Sequence, residues 1–248
     1  MSTRLQRFAF RWLAREETVR VADCVHFAAF RFGRGELNPY ENYTVALARR
    51  TPVADVRARF EEFLRGYRPV NMGEALGVRL SGEHGLWQFP WARRPFAATG
   101  TRPGWHDNPA DVPDILTHFS ARGILRSRIE QEFRWLEAAL HSIREHGYQP
   151  QCYSGHPQAR RLVAADGSAR YLMHDGNHRL SALAAMGHTE VVVCFVPRMD
   201  VHEADLPCWW RVADGSYEPD DARRVFRAYF DGNPAPHTTG EPAVLLES

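Results

Sequence analysis

The stretch from Tyr171 to Val196 constrains this chain more than any other part of it. An apolar, strand-like run ends in Asp175-Gly176, and a polar turn, Asn177-His178-Arg179, follows. A short Ala/Leu-rich helix comes next, closed by Gly187 as its C-cap, and Val191 to Val196 reads as a second strand. A strand that passes through a glycine turn into a helix gathers free backbone N–H groups and the positive end of the helix dipole at one point. Such a point attracts a phosphate. Here it also carries a carboxylate, an imidazole and a guanidinium.

Which phosphate chemistry is open is narrowed by what the chain lacks. All 31 basic residues are arginine. Without lysine, a Walker-type phosphate loop, a protein-kinase fold and Schiff-base catalysis are excluded in their usual forms. Phosphate handling then falls to arginine, histidine, backbone N–H groups and a metal. The net charge of +1 gives the whole molecule no electrostatic pull on nucleic acid. Cys24, Cys152, Cys194 and Cys208 are scattered with no CxxC pair, which argues against a thiolate zinc site and for a reduced, cytoplasmic setting. No apolar run approaches the length of a bilayer span.

The rest of the chain reads as a series of local signals. Residues 3–16 form an amphipathic helical pattern, with Leu5, Phe8, Trp12 and Leu13 beside a stripe of Arg4, Arg7, Arg11 and Arg15. Such a helix can lie on an anionic membrane surface or pack within the protein or on a second subunit. Val19–Phe32 reads as a strand and Val53–Gly66 as an amphipathic helix. Residues 81–114 are irregular and rich in tryptophan and proline. Ile124–His146 is the clearest helix, its buried face marked by Ile129, Phe133, Leu136, Leu140 and Ile143. Asp166-Gly167 between two apolar runs predicts a hairpin. Trp209 to Phe230 reads as a hairpin-helix unit with Trp209, Trp210, Tyr217 and Phe226 in its core. The expected division is an N-terminal extension over 1–110, a core over 111–200, a C-terminal unit over 201–235 and a loose tail over 236–248.

The order of helix, hairpin, turn, short helix and strand resembles the ParB/sulfiredoxin superfamily over roughly residues 122–197. The resemblance is carried by Ser142-Ile143, Gly147-Tyr148 and Pro150 at the end of the long helix, then by Asp175-Gly176-Asn177-His178-Arg179, Ala182, Gly187 and the closing valine strand. It implies an α/β fold, a small mixed sheet with helices, extended at both ends, and a nucleotide-phosphate site at the turn. Asn177 stands where sulfiredoxins carry their reactive cysteine, which points away from sulfinic-acid repair. The form of the turn is most similar to the free-serine-kinase branch.

Each residue of the turn has a role in phosphoryl transfer, where positioning and charge neutralisation dominate. Arg179 can clamp phosphate oxygens, and the N–H groups of Gly176 and Asn177 can add to the cradle. His178 can donate to phosphate or act as an acid, Asp175 can hold Mg²⁺, and Ser181 can reach a phosphate from the first helical turn. On the long helix, Arg126 is a second candidate phosphate contact and Glu130 a candidate base. Each also has a structural role open to it: Asp175 as a helix cap, His178 as a satisfied buried histidine, Arg179 as the partner of an acidic neighbour, and the long-helix pair as a solvated face. His174, His178 and His188 do not share a helix face, which weighs against a transition-metal site.

Together these features lead to an expected enzyme, a phosphotransferase using Mg²⁺ and ATP, ADP or CTP on a small hydroxylated acceptor: an amino acid, a sugar or an envelope precursor. Two alternatives stand beside it. One is a nucleotide-gated switch acting on a partner, and the other a ParB-like DNA-binding or nuclease protein, which ranks last because the arginines are spread along the chain. Peripheral membrane contact through residues 3–16 and self-association are compatible with the same reading.

Overall fold

Two of the helices expected from periodicity are present, one over Val53–Gly66 and the long one over Arg126–His146. A computed structural model describes residues 14–33, 38–49, 53–93, 126–153 and 155–233. In chain order the strands are β1 (Arg15–Arg20), β2 (Cys24–Val25), β3 (Ala159–Val163), β4 (Ala169–Met173), β5 (Glu190–Phe195) and β6 (Val201–His202). The helices are α1 (Pro39–Ala48), α2 (Val53–Gly66), α3 (Met72–Leu76), α4 (Arg126–His146), α5 (Asn177–Ala185), α6 (Trp210–Ala213) and α7 (Pro219–Asp231). This is an α/β protein with small sheets of mixed direction. No helix among the described residues is long and apolar enough to cross a membrane.

The chain forms two compact units, each discontinuous in sequence: residues 1–49 with 136–204, and residues 50–135 with 205–248. The expected sequential division therefore does not follow the units. In the first unit, β1 pairs antiparallel with β5, and a second sheet has the order β2-β4-β3-β6. β3 and β4 form the hairpin anticipated from Asp166-Gly167. Gly167 takes φ +81°, and Asp166 Oδ1 accepts from the Ser168 N–H at 2.9 Å. The core of this unit joins Val19 of β1, Val191, Val193 and Phe195 of β5, Tyr171 and Met173 of β4, and Leu180 and Leu183 of α5 to Leu140 and Ile143 of α4. Gly147 closes α4 at φ +72°, its N–H donating to Ile143 O at 2.9 Å.

The run Val19–Phe32 is not one strand. β1 stops at Arg20, a 3₁₀ turn covers Val21–Asp23, and β2 lasts two residues. Beyond it His26 and Phe30 close a tight turn with Ala29 at φ +61°, and Phe27 through Phe30 are all buried. A run that is apolar on every side reports burial, and periodicity cannot separate a buried strand from a buried loop.

In the second unit, Val56, Phe60, Phe63 and Leu64 form the buried face of α2, and the Phe60 ring meets Phe133 edge-on at 5.5 Å. The C-terminal part holds no hairpin between Trp209 and Asp231: Trp210–Val212 is helical, in α6, and α7 follows. Trp209, Tyr217 and Phe226 are buried there, but Trp210 is 45 % exposed with Arg93 stacked over it, so it is not a core residue. Of the amphipathic segment 3–16, Arg15 and Glu16 belong to β1, and residues 3–13 lie outside the described residues, as do 94–125 and the tail.

Candidate functional site

The turn is built by continuing the β3–β4 ladder past its strands. The N–H groups of His174 and Asp175 donate to Gln158 O at 2.8 and 3.1 Å, and the Gln158 N–H donates to Asp175 O at 3.3 Å. The preceding residue, Pro157, accepts from the Cys194 N–H of β5 at 2.8 Å. Segment 155–158 is thereby held between the turn and β5.

Gly176 follows at φ +87° as the N-cap of α5. A Cβ there would lie 2.8 Å from Pro157 Cβ and 3.1 Å from Arg179 Nη2, so both conformation and space require glycine. No side chain caps α5, and its first backbone bond runs from the Leu180 N–H to Gly176 O at 2.8 Å. The first-turn N–H groups of α5 therefore have no side-chain cap among the described residues.

Asp175 is not the cap. It is 2 % exposed, and its Oδ2 lies 3.0 Å from Arg179 Nη2 in a buried i, i+4 pair. Arg179 Nη1 donates to Gly155 O, and the guanidinium sits 4.9 Å from the centroid of the Tyr153 ring. Arg179 thus fastens segment 155–158 to the turn, and a phosphate that used it must compete with Asp175 and Gly155. Ser181 is fully buried and its hydroxyl donates to Asn177 O at 3.0 Å, so its proton is spent within the helix. His178 is half-buried, its ring edge-on to Tyr40 at 6.2 Å.

The remaining two candidates belong to the other unit. Arg126 is exposed at the start of α4, and Glu130 pairs with Arg57 Nη2 at 2.6 Å. Mg²⁺ finds a poor fit at Asp175, a buried carboxylate with one oxygen on a guanidinium. Among the described residues no three His, Cys, Asp or Glu side chains group as a metal site. A Mg²⁺ ion brought by a nucleotide would rest on phosphate oxygens and water.

Sequence reasoning missed the segment that faces the turn. Tyr148 Oη, Tyr153 Oη and His156 Nδ1 are buried with no hydrogen-bond partner among the described residues, and so is Asn177 Oδ1. The Tyr148 ring lies 6.4 Å from Tyr153 and 6.1 Å from His156. Burial pushes the Tyr148 phenol up to about 12, and the nearby Arg179 guanidinium pulls the other way. Arg160 was missed as well. Arg161 pairs with Asp200, Arg170 with Asp23 and Arg179 with Asp175, whereas half-buried Arg160 meets no carboxylate among the described residues. Burial alone lowers its pKa. The available signal was compositional: Gly147 to Gln158 mixes glycine, proline, tyrosine and histidine between a helix and a hairpin, which marks a loop able to carry function.

Fold and turn together define an α/β protein with an uncapped, glycine-led helix start beside an aromatic loop. Compared with protein-family models, with curated proteins and with solved structures, the chain matches none.

Proposed function

We propose that the chain binds a nucleotide through its phosphates at the turn Asp175–Arg179 and passes the terminal phosphate to a small hydroxylated acceptor, as a ParB/sulfiredoxin-like phosphotransferase. The observation that supports this reading is the start of α5: a left-handed glycine packed against Pro157, no side-chain cap, and His178 half-exposed in the first turn. Backbone N–H groups there offset phosphate charge without lysine. The acceptor oxygen attacks the terminal phosphorus as the bond to the leaving phosphate oxygen breaks. His178 is the group placed to take the acceptor proton or to donate to a phosphate oxygen. Glu130, already paired with Arg57, has no part in this scheme.

The test is a set of thermal melts with ATP, ADP, CTP and GTP, with and without Mg²⁺, on wild type and His178→Ala. Binding to the native state alone raises stability by about 2.7 kcal/mol at a hundredfold excess over Kd. His178→Ala is the better probe, because Arg179→Ala would leave Asp175 buried without its partner and confound binding with stability. A rise with one nucleotide, reduced in His178→Ala, supports the reading, and no rise with any of them sinks it.

A second reading is favoured by Arg179 itself. A ligand that drew Arg179 away from Asp175 and Gly155 would release segment 155–158, which is how a nucleotide-gated switch could act on a partner. Tight binding with no phosphoryl transfer to any hydroxylated acceptor would select this reading over the first.

A further inference from the structure

Buried polar atoms that lack partners are rare in folded proteins, and a group of them calls for a bound species. Tyr148 Oη, Tyr153 Oη and His156 Nδ1 form such a group within nine residues of chain, with ring centroids about 6 Å apart. Arg179 lies over the Tyr153 ring, so the group sits beside the one buried cation of the turn. A buried phenol with a raised pKa stays protonated at neutral pH, so Tyr148 brings an O–H donor that has no acceptor among the described residues. His156 keeps its other nitrogen 4.0 Å from Glu16 Oε2, which leaves Nδ1 directed inward without a partner.

We propose that Tyr148, Tyr153 and His156 form a subsite for a phosphate group alongside the Asp175–Arg179 turn. The subsite deepens the nucleotide reading and rests on it only for what the phosphate is attached to. A carboxylate fits less well. Its preferred partner is the planar fork of a guanidinium, and both terminal nitrogens of Arg179 are taken by Gly155 O and Asp175. Two phenol O–H donors carried on separate rings suit a tetrahedral group with acceptors on every side, and His156 Nδ1 adds a third donor in the tautomer that carries its proton there. The rival occupant is ordered water, which also satisfies buried hydroxyls.

The experiment uses the full chain, with Tyr148→Phe and Tyr153→Phe combined and His156→Ala separately. Phenylalanine keeps each ring and deletes only an oxygen that has no hydrogen-bond partner among the described residues, so the double variant should fold with its midpoint unchanged or higher. Melts and calorimetric titrations are run with inorganic phosphate, acetate and ATP. The expected result is a phosphate-dependent rise in wild type, at least tenfold weaker binding in both variants, and little response to acetate. Comparison between variants cancels the general stabilising effect of phosphate as a salt.

Equal phosphate binding in wild type and double variant overturns the proposal, as does no binding in wild type. A double variant that is clearly less stable without ligand also overturns it, since the hydroxyls would then be holding structural water. Should the double variant fail to fold, the imidazole resonances of His156 in the wild type decide: they move on adding phosphate if the subsite is real and stay still if it is not. The two readings fail separately. Phosphate binding that needs the tyrosines, with no response to any nucleotide, keeps the subsite and removes the nucleotide. Nucleotide binding that needs His178 but not the tyrosines does the reverse.

Discussion

Asp221 in the second unit and Asp175 in the first are both buried at the beginning of a helix, at 0 % and 2 % exposure, yet their surroundings are opposite in kind. Asp221 is ringed by donors: the Ser81 N–H, the Ser81 hydroxyl and the Gly82 N–H at 2.9 Å, with His84 Nε2 at 3.2 Å and Arg224 Nη1 at 3.0 Å. The His84 ring stacks on Tyr217 at 3.5 Å, and the Tyr217 hydroxyl donates in turn to Gln88 O at 2.8 Å. Burial alone would push the Asp221 carboxyl up, but these donors outweigh it and hold it at about 2. Asp175 is held by a guanidinium, while Tyr148, Tyr153 and His156 keep buried polar atoms with no hydrogen-bond partner among the described residues. The first arrangement clamps a loop to a helix and is complete in itself. The second leaves buried polar atoms without partners among the described residues, and the proposed subsite rests on that difference.

The largest effect expected of this contrast is at the clamp. Asp221→Ala strips the acceptor from Ser81 and Gly82 and should cost about 3–5 kcal/mol in urea unfolding. A loss below about 1 kcal/mol would break the comparison, because the loop would then be held by something else. Next is Gly176→Ala, which adds a Cβ against Pro157 at a left-handed position and should cost about 2–3 kcal/mol, seen as a lower midpoint on heating.

Double-mutant cycles sharpen the point. Asp175 and Arg179 should couple by about 1–3 kcal/mol. Asp221 and Arg224 should couple by less than about 1 kcal/mol, because the Arg224 side chain is 52 % exposed.

Acid should reveal the clamp too. The folded-state pKa of Asp221 lies below the ordinary 3.8, so its contribution is present above about pH 4 and is lost as pH falls toward about 2. Unfolding measured across that window should be flatter in pH for Asp221→Asn than for wild type. The smallest effect is at His178. His178→Ala should change stability by no more than about 0.5 kcal/mol, since the side chain is only half-buried, while reducing the stabilisation that the proposed nucleotide gives.

What could be read in advance was whatever a short window of sequence controls. The bounds of α2, the apolar face of α4, the Asp166-Gly167 hairpin and the strand-to-helix turn at Gly176 all rest on signals within a few residues, and all are present. The roles of the turn residues were less legible. For Arg179 two roles were open, a phosphate clamp and the partner of an acidic neighbour; the pair with Asp175 is the second, and nothing nearby in sequence announces Gly155 as its further acceptor. Tyr148 and Tyr153 could not be assigned to the site, because only the ladder between Gln158 and Asp175 brings their segment to face it. The pairing of β1 with β5 was invisible for the same reason, and the strand expected over Val19–Phe32 failed because burial on every side erases the alternation that identifies strands.

The pairing of Arg15 with Phe195 and of Arg20 with Glu190 also sets a timetable for synthesis. A ribosome adds about 5–20 residues per second, so β1 is exposed well before its partner strand is made. Residues 50–135 likewise wait for the chain beyond residue 204 before their unit is complete. The first unit is complete in sequence only after residues 50–135 of the second have been made, the second unit closes last, and the nascent chain carries an unpaired strand until β5 emerges. The charges along that strand, Arg15, Glu16, Glu17 and Arg20, suit the wait, because an edge dense in charge is a poor template for strands of neighbouring chains.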